Sequence, residues 1–380
     1  MIHLDHHAAE PLCPEARAAM LEALESGWAN PASVHAAGRR ARAMLERARA
    51  QLARATGADP QDVVFVSGGT EACDLGVRGL VRGARLRRIV TTRIEHPALL
   101  ETIDALVADG VEVVRVPAPG AVPPDPDRLA GWLDAATLLA FGWVHHETGA
   151  ITDAVRLARA ARERGAMVFV DATQALGKLA VDVERLGADA VAFSSPKIGG
   201  PAGAGALWVR REAPLEPVLR GGGQERGRRA GTPSVVALAG FGAAAAAIDR
   251  RLEAMPRVEA LRDELEGELV RRGAHVNGVG APRVGTVTCV SWPEIRGEQL
   301  VAALDLEGIC VSSGPACSSG RAEPSRALRE AFPDEPWRAR GAVRFSLGPA
   351  STREEIRQAV LALDVVLARR LLRHEPPMRP

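Results

Sequence analysis

The chain has 380 residues, with 48 Lys plus Arg set against 47 Asp plus Glu and a formal net charge of +1. A balance this close to zero argues against a general nucleic-acid or membrane-surface binder, and the length suits two domains. With no long uncharged apolar span, no signal-peptide pattern and five cysteines but no Cys-x-x-Cys pair, a soluble protein of the reducing cytoplasm is expected, without a disulfide framework or structural zinc.

In chain order, Pro14 opens an amphipathic helix over 14–26, a turn follows at 30–33, and an Arg-rich helix over 34–56 is closed by Gly57. The β-branched run at 62–67 reads as a buried strand that feeds Gly68-Gly69-Thr70-Glu71 into another helix. Free backbone N–H groups and a helix dipole meet at such a turn, which suits an anion such as phosphate. The alternation continues: strand 88–91, helix 97–109, strand 111–116, a proline-rich loop over 117–126 and a short helix. Strand 138–144 then ends at His145-His146-Glu147, helix 153–164 follows, strand 167–170 ends at Asp171, and strand 189–193 leads to Lys197. Strands alternating with helices predict an α/β fold with a mostly parallel sheet covered on both faces. Ligands of open α/β sheets bind beyond the strand C-termini, where Thr70, His96, His146, Asp171 and Lys197 should converge.

Past Gly223 the texture changes to long helices at 233–252 and 258–272, strands at 285–291, 308–312 and 342–347, and a final helix from Thr352. The expected division is a large domain over 12–250 and a smaller α+β domain made of 1–11 and 251–380.

Only two of the basic residues, Lys178 and Lys197, are lysines. A guanidinium stays protonated, whereas a desolvated amine can lose its proton and attack a carbonyl. Lys197 stands between an apolar strand and a glycine-rich hairpin and is the candidate amine; Lys178, in Leu-Gly-Lys-Leu, reads as a surface residue. An amine, a strand-end carboxylate (Asp171) and an anion turn together suit pyridoxal phosphate, with Gln174 able to reach the ring hydroxyl and His96 able to stack and pass protons. Competing readings stay open: Asp171 as a helix N-cap and His96 as a satisfied core histidine. Cys317, in a loop of small residues, suits a mobile nucleophile or is a neutral loop cysteine, while Cys289 and Cys310 fall in apolar strands and read as core. Arg344 in its apolar strand suits a substrate carboxylate or a structural ion pair. The pairs His6-His7 and His145-His146 lack helical spacing, so no metal is expected.

These motifs, with Asn30-Pro31-Ala32-Ser33-Val34-His35, Ser67-Gly68-Gly69-Thr70-Glu71, Glu95-His96-Pro97-Ala98, Asp171-Ala172-Thr173-Gln174, Gly221-Gly222-Gly223-Gln224-Glu225-Arg226, Gly231-Thr232, Ala316-Cys317 and Arg344-Phe345-Ser346-Leu347-Gly348, run almost end to end. In them the chain resembles the cysteine desulfurases of the NifS and IscS kind, class V aminotransferase relatives with the fold type I architecture and a seven-stranded sheet. The resemblance implies Lys197 as the Schiff-base lysine, Asp171 as pyridine partner, Gln174 as ring-hydroxyl partner and His96 as stacking acid/base. It also implies phosphate contacts from Gly69, Thr70 and Ser194, with Thr232 supplied by the second subunit of a homodimer. Cys317 would take sulfur from L-cysteine as a persulfide, leaving alanine, and Arg344 would bind the substrate carboxylate. A sulfur-acceptor or scaffold protein, as in iron–sulfur cluster assembly, is the implied partner.

The departures from the family pattern cluster at the same site: Pro196 for His, His145-His146 for Asn-Asn, Asp5-His6-His7-Ala8-Ala9-Glu10 for Asp-Asn-Ala-Ala-Thr-Thr, Asp74 for Asn, and Pro315 for Ser. His146 is expected to take over the contacts of the lost amide to cofactor and substrate. Alternatives are another lyase or transaminase for a different sulfur or selenium amino acid, and a desulfurase-like partner protein that lost turnover.

Overall fold

The computed structural model describes residues 1–314 and 324–374. In chain order its strands are β1 (Ile2–His3), β2 (Val63–Val66), β3 (Arg88–Thr92), β4 (Glu112–Val116), β5 (Thr137–Gly142), β6 (Met167–Asp171), β7 (Ala190–Ser194), β8 (Gly205–Val209), β9 (His275–Val276), β10 (Val287–Ser291), β11 (Ile309–Cys310) and β12 (Ala342–Ser346). Helices α1 (Pro14–Ser26), α2 (Ala36–Thr56), α3 (Gly69–Gly83), α4 (Pro97–Val107), α5 (Ala154–Arg162), α6 (Val183–Leu186), α7 (Val235–Ala246) and α8 (Ile248–Arg271) run between them.

A seven-stranded sheet has the order β2-β8-β7-β6-β5-β3-β4, in which β8 is antiparallel to both neighbours and the other pairings are parallel. Every residue of β2, β7 and β8 is buried, as a sheet covered on both faces requires. On one side Phe65, Phe141, Trp208 and Phe241 form a core; on the other Leu75, Leu99, Ile103 and Phe169 form a second. Helix α3 lies so close to the sheet that a Cβ on Gly76 would stand 2.3 Å from the Phe169 ring. A third core holds Leu4, Leu265, Phe345 and Ile356 around the antiparallel sheet β12-β10-β9 and the parallel pair β1-β11.

Most expected elements are present within a few residues of their expected ends. The break between the two long helices lies at Ala247, and α8 runs straight through Pro256. Proline forfeits one helical hydrogen bond, but the buried face of Val258, Leu261, Leu265 and Leu269 carries the helix on. The strand expected over 308–312 shrinks to β11, paired with β1.

The 221–231 loop is tied down by a buried ion pair. Glu225 takes bidentate hydrogen bonds from Arg49 at 2.7 and 2.8 Å and a third from the Phe65 backbone N–H at 2.8 Å, while the Arg49 guanidinium covers the Phe65 ring at 4.5 Å. Both side chains are under 5% exposed. Glu225→Ala leaves the Phe65 amide without its partner and the buried Arg49 guanidinium with only Glu46 and the Val63 carbonyl, so a loss of ~3 kcal/mol is expected, read as the shift in urea denaturation midpoint.

Candidate active site

Since β2, β3, β5, β6 and β7 all point the same way, the segments after their C-termini share one edge of the sheet. They line a cavity of about 150 Å³ with Gly69, Thr70, Glu95, His96, His146, Asp171, Thr173, Gln174, Ser194, Pro196, Lys197 and Arg344 in its wall. These include every expected site residue except Thr232, which does not line it, and Cys317, which lies outside the described residues.

Lys197 ends the short turn Ser195–Lys197, where Pro196 occupies an early position suited to its fixed φ. Its Nζ donates to the backbone carbonyls of His7 at 3.0 Å and Ala8 at 2.5 Å. The same N-terminal segment is laced to the turn by Glu10 N–H to the Pro196 carbonyl and Cys13 N–H to the Gly199 carbonyl. Gln174 Nε2 also donates to the His7 carbonyl at 2.9 Å, leaving its Oε1 buried without a partner.

Asp171 closes β6, and its Oδ1 accepts from Thr173 N–H at 2.9 Å in a turn rather than at a helix start. His96 caps α4: Nδ1 accepts from Ala98 N–H at 3.0 Å, so the neutral ring carries its proton on Nε2. Burial lowers the His96 imidazole, with Asp171 pulling the other way. The His96 and His146 rings meet edge to face with centroids 5.0 Å apart. The rings of His145 and His146 lie tilted against each other with centroids 4.7 Å apart. Both nitrogens of His145 are engaged, Nε2 by the Ile94 carbonyl and Nδ1 by Thr148, and no cluster of His, Cys, Asp or Glu able to hold a metal forms among the described residues.

Arg344 is both a structural partner and a cavity residue. Its Nη2 donates to Asp5 at 3.0 Å and Nη1 to the His146 carbonyl at 2.9 Å, whereas Nε is buried without a partner. Asp5 is held in turn by Ser312 Oγ at 2.7 Å. Behind His146, Glu147 accepts from Ser325 Oγ at 2.7 Å, and a Cβ on Gly314 would lie 3.7 Å from its Oε2. The described residues on either side of the Cys317 segment therefore approach the same buried carboxyl.

Two assignments change. Lys178 is not a surface residue: it is 6% exposed, its Nζ donates to the Lys197 carbonyl at 3.4 Å, and burial brings the amine down to about 7. Cys310 is only partly buried, whereas Cys289 is core and its thiol is pushed up to about 12 by burial. Sequence reasoning gave no role to Asp5, His7, Glu95 or Thr173. Glu95 is held by Thr92 Oγ1 at 2.6 Å and Gly142 N–H at 2.7 Å, and burial raises its carboxyl to about 7.

Residues 2–359 match the aminotransferase class-V family. The chain belongs to that family. It is 39% identical over 399 residues to a cysteine desulfurase of Frankia sp. (strain EuIK1), covering 100% of this chain and 94% of the relative. It is 37% identical over 372 residues to a cysteine desulfurase of Cereibacter sphaeroides, covering 96% and 95%. A solved NifS-like protein superposes with a TM-score of 0.90 at 30% identity, over 97% of this chain and 99% of that one. The architecture is that of the fold type I enzymes of this family.

The residues fit the phosphorylated pyridoxal group that the fold type implies. The N-terminus of α3 is open at Gly69, where a Cβ would meet Ser194 Cβ at 3.1 Å and Thr173 Oγ1 at 3.2 Å, so the hydroxyls of a phosphate cradle surround a position that only glycine leaves free. The orphaned Gln174 Oε1 and the Asp171 carboxylate lie in the same wall.

Burial also lowers His7 and His146 well below the ordinary value, His6 to about 4 and His145 to about 3. With His96 this makes five imidazoles that the folded chain keeps neutral. The unfolded chain protonates them as pH falls through about 6.5, so the stability they permit above that value is lost progressively below it. Glu95 and Glu147, both raised by burial, act in the opposite sense over part of this window but are outnumbered. Urea midpoints are expected to fall steadily between about pH 7 and pH 5, less steeply in His145→Asn.

Proposed function

We propose that the chain is a pyridoxal phosphate-dependent cysteine desulfurase that moves sulfur from L-cysteine to Cys317 and releases L-alanine. The observation that carries this reading is one cavity in which the Lys197 amine, the Asp171 carboxylate, the Gly69 cradle and the Arg344 guanidinium open together. Pyridoxal phosphate bound there supplies an electron sink for bonds at the substrate α-carbon. Lys197 would be its attachment point, Asp171 would face the pyridine nitrogen, Gln174 the ring hydroxyl and His96 the ring face. Gly69, Thr70 and Ser194 would hold the phosphate.

Arg344, kept in place by Asp5, would receive the substrate carboxylate through donors such as the unpartnered Nε. His96 holds its proton at Nε2, and His146 presents a neutral ring beside it in place of the family's amide. In the sulfur step the substrate Cβ–S bond breaks and an S–S bond forms at Cys317. The proton of the Cys317 thiol is balanced by the one gained on the alanine methyl.

We further infer a homodimer in which the second copy supplies Thr232, because that residue is absent from its own chain's cavity and Trp28 and Val34 are left 76% and 84% exposed. The residues 12–250 would form the cofactor-binding domain, with 1–11 and 251–380 as the smaller one. Among the described residues no helix is long and apolar enough to cross a membrane, in keeping with a cytoplasmic enzyme that hands sulfur to an acceptor protein.

The purified protein should show a visible absorbance band that Lys197→Ala abolishes. With L-cysteine it should yield alanine together with protein-bound persulfide or sulfide, and Cys317→Ser should lose the sulfur product. Alanine formed without any Cys317-dependent sulfur would overturn the persulfide role and favour a different lyase. An increase in cysteine turnover in His146→Asn would show that the imidazole does not replace the amide.

A further inference from the structure

One buried carboxyl beside the cavity has no part in the reaction described above. Glu147 is 0% exposed and follows His146, which is 7% exposed and part of the cavity wall. Both stand on a tight turn between the bridged residues Val144 and Ile151, closed by His145 N–H to the Ala150 carbonyl at 2.8 Å and Gly149 N–H to the His145 carbonyl at 2.9 Å. There His146 Nε2 comes within 3.4 Å of Glu147 Oε1. Ser325 Oγ, which accepts from Leu328 N–H at 3.0 Å as the cap of the helix Arg326–Ala331, donates to the same Oε1 at 2.7 Å, and Oε2 is buried without a partner. Oε1 is thus an acceptor. A bare ring nitrogen at that distance would set lone pair against lone pair in a site of low polarity, so the proton of the neutral His146 ring belongs on Nε2 and Nδ1 is left bare. His96, its edge-to-face neighbour, spends its bare nitrogen on Ala98 N–H and keeps a donor at Nε2. A donor imidazole and an acceptor imidazole then stand side by side in one wall.

We propose that Glu147 is a positioning residue for His146: by accepting from Nε2 it fixes the ring in one tautomer and makes Nδ1 a hydrogen-bond acceptor for a substrate ammonium or thiol. The asparagine that the family pattern carries here has an amide with both a donor and an acceptor, and it can turn either to a ligand. An imidazole cannot, because the bond made by one ring nitrogen sets what the other presents. Arg344 from β12, Cys289 from β10, and Lys197 and His96 across the cavity face the pair, and both Nη groups of Arg344 are committed, to Asp5 and to the His146 carbonyl. The use made of Nδ1 rests on the desulfurase reading, but the tautomer is testable without cofactor or substrate.

With histidine as the only isotope-labelled residue type, the nine imidazoles of the apoprotein are read by proton–nitrogen correlation NMR at about pH 8, where imidazoles are neutral. His146, assigned from the pattern lost in His146→Asn, is expected to carry its proton on Nε2. Glu147→Leu should let the ring mix its two tautomers and lower kcat/KM for L-cysteine about tenfold. Glu147→Gln, whose amide oxygen accepts as Oε1 does, should keep the wild-type pattern, and so should Ser325→Ala, which leaves Glu147 to His146. A proton on Nδ1 of His146 in the wild type overturns the proposal. An unchanged tautomer in a slowed Glu147→Leu overturns it too, since that is what a purely structural role requires. Should Glu147→Leu fail to fold, the wild-type spectrum decides alone: a proton on Nε2 upholds the pairing and one on Nδ1 refutes it. A wild-type holoenzyme that forms no alanine from L-cysteine, yet shows the expected tautomer, would remove the desulfurase reading and leave the pairing standing.

Discussion

The site depends on backbone carbonyls near the start of the chain reaching an amine halfway along it. His7 and Ala8 hold the Lys197 Nζ across sequence separations of 190 and 189 residues. That hold would be loose if the segment carrying the carbonyls were free to slide. It is fixed at one end by Asp5 on Arg344 and Ser312 and at the other by Glu10 on Arg251. Since Arg344 is itself a cavity residue, the brace that aims the lysine also aims the guanidinium. Geometry of this kind, set by packing rather than by the reacting groups themselves, is what makes a site ready before its ligands arrive.

Around this brace the site suppresses charge. Burial keeps the imidazoles of His7, His96 and His146 neutral and holds Glu95 partly protonated near pH 7. Two of the fixed charges beside the brace are matched: Arg344 with Asp5 and Arg251 with Glu10. An incoming phosphate and carboxylate thus meet donors and dipoles that are already oriented. Unpaired charges would have had to find partners first.

The sequence was legible where short-range chemistry sets structure. β-Branched runs marked the sheet strands, and polar residues just after them marked the cavity wall, because strand direction places all those ends at one edge. Thr70, His96, His146, Asp171 and Lys197 were visible for that reason, whereas Ser194 came only from the family resemblance. Asp5 and His7 were not, since their roles come from contacts with Arg344 and Thr286 made across 339 and 279 residues. Lys178 was misread because its neighbours Leu-Gly-Lys-Leu say nothing of Arg251, which lies against Gly177, or of the Glu10 that pairs with it. The break expected between 252 and 258 is absent: propensity marks Pro256 as a helix end, but the buried face of Val258, Leu261, Leu265 and Leu269 outweighs one missing hydrogen bond.

The parallel pairing of Ile2–His3 with Ile309–Cys310 and the seating of His7 on Thr286 and Ser346 set a limit on how the enzyme can be born. Residues 2–10 leave the ribosome long before Thr286, Ile309, Cys310 and Ser346, to which they bind. The earlier segment must wait in solvent for them, and until they arrive the carbonyls that meet Lys197 are not held in place. On this design the hold on the Lys197 amine is an all-or-nothing property of the assembled chain, and products of interrupted synthesis that stop before Ile309 carry the amine without its brace.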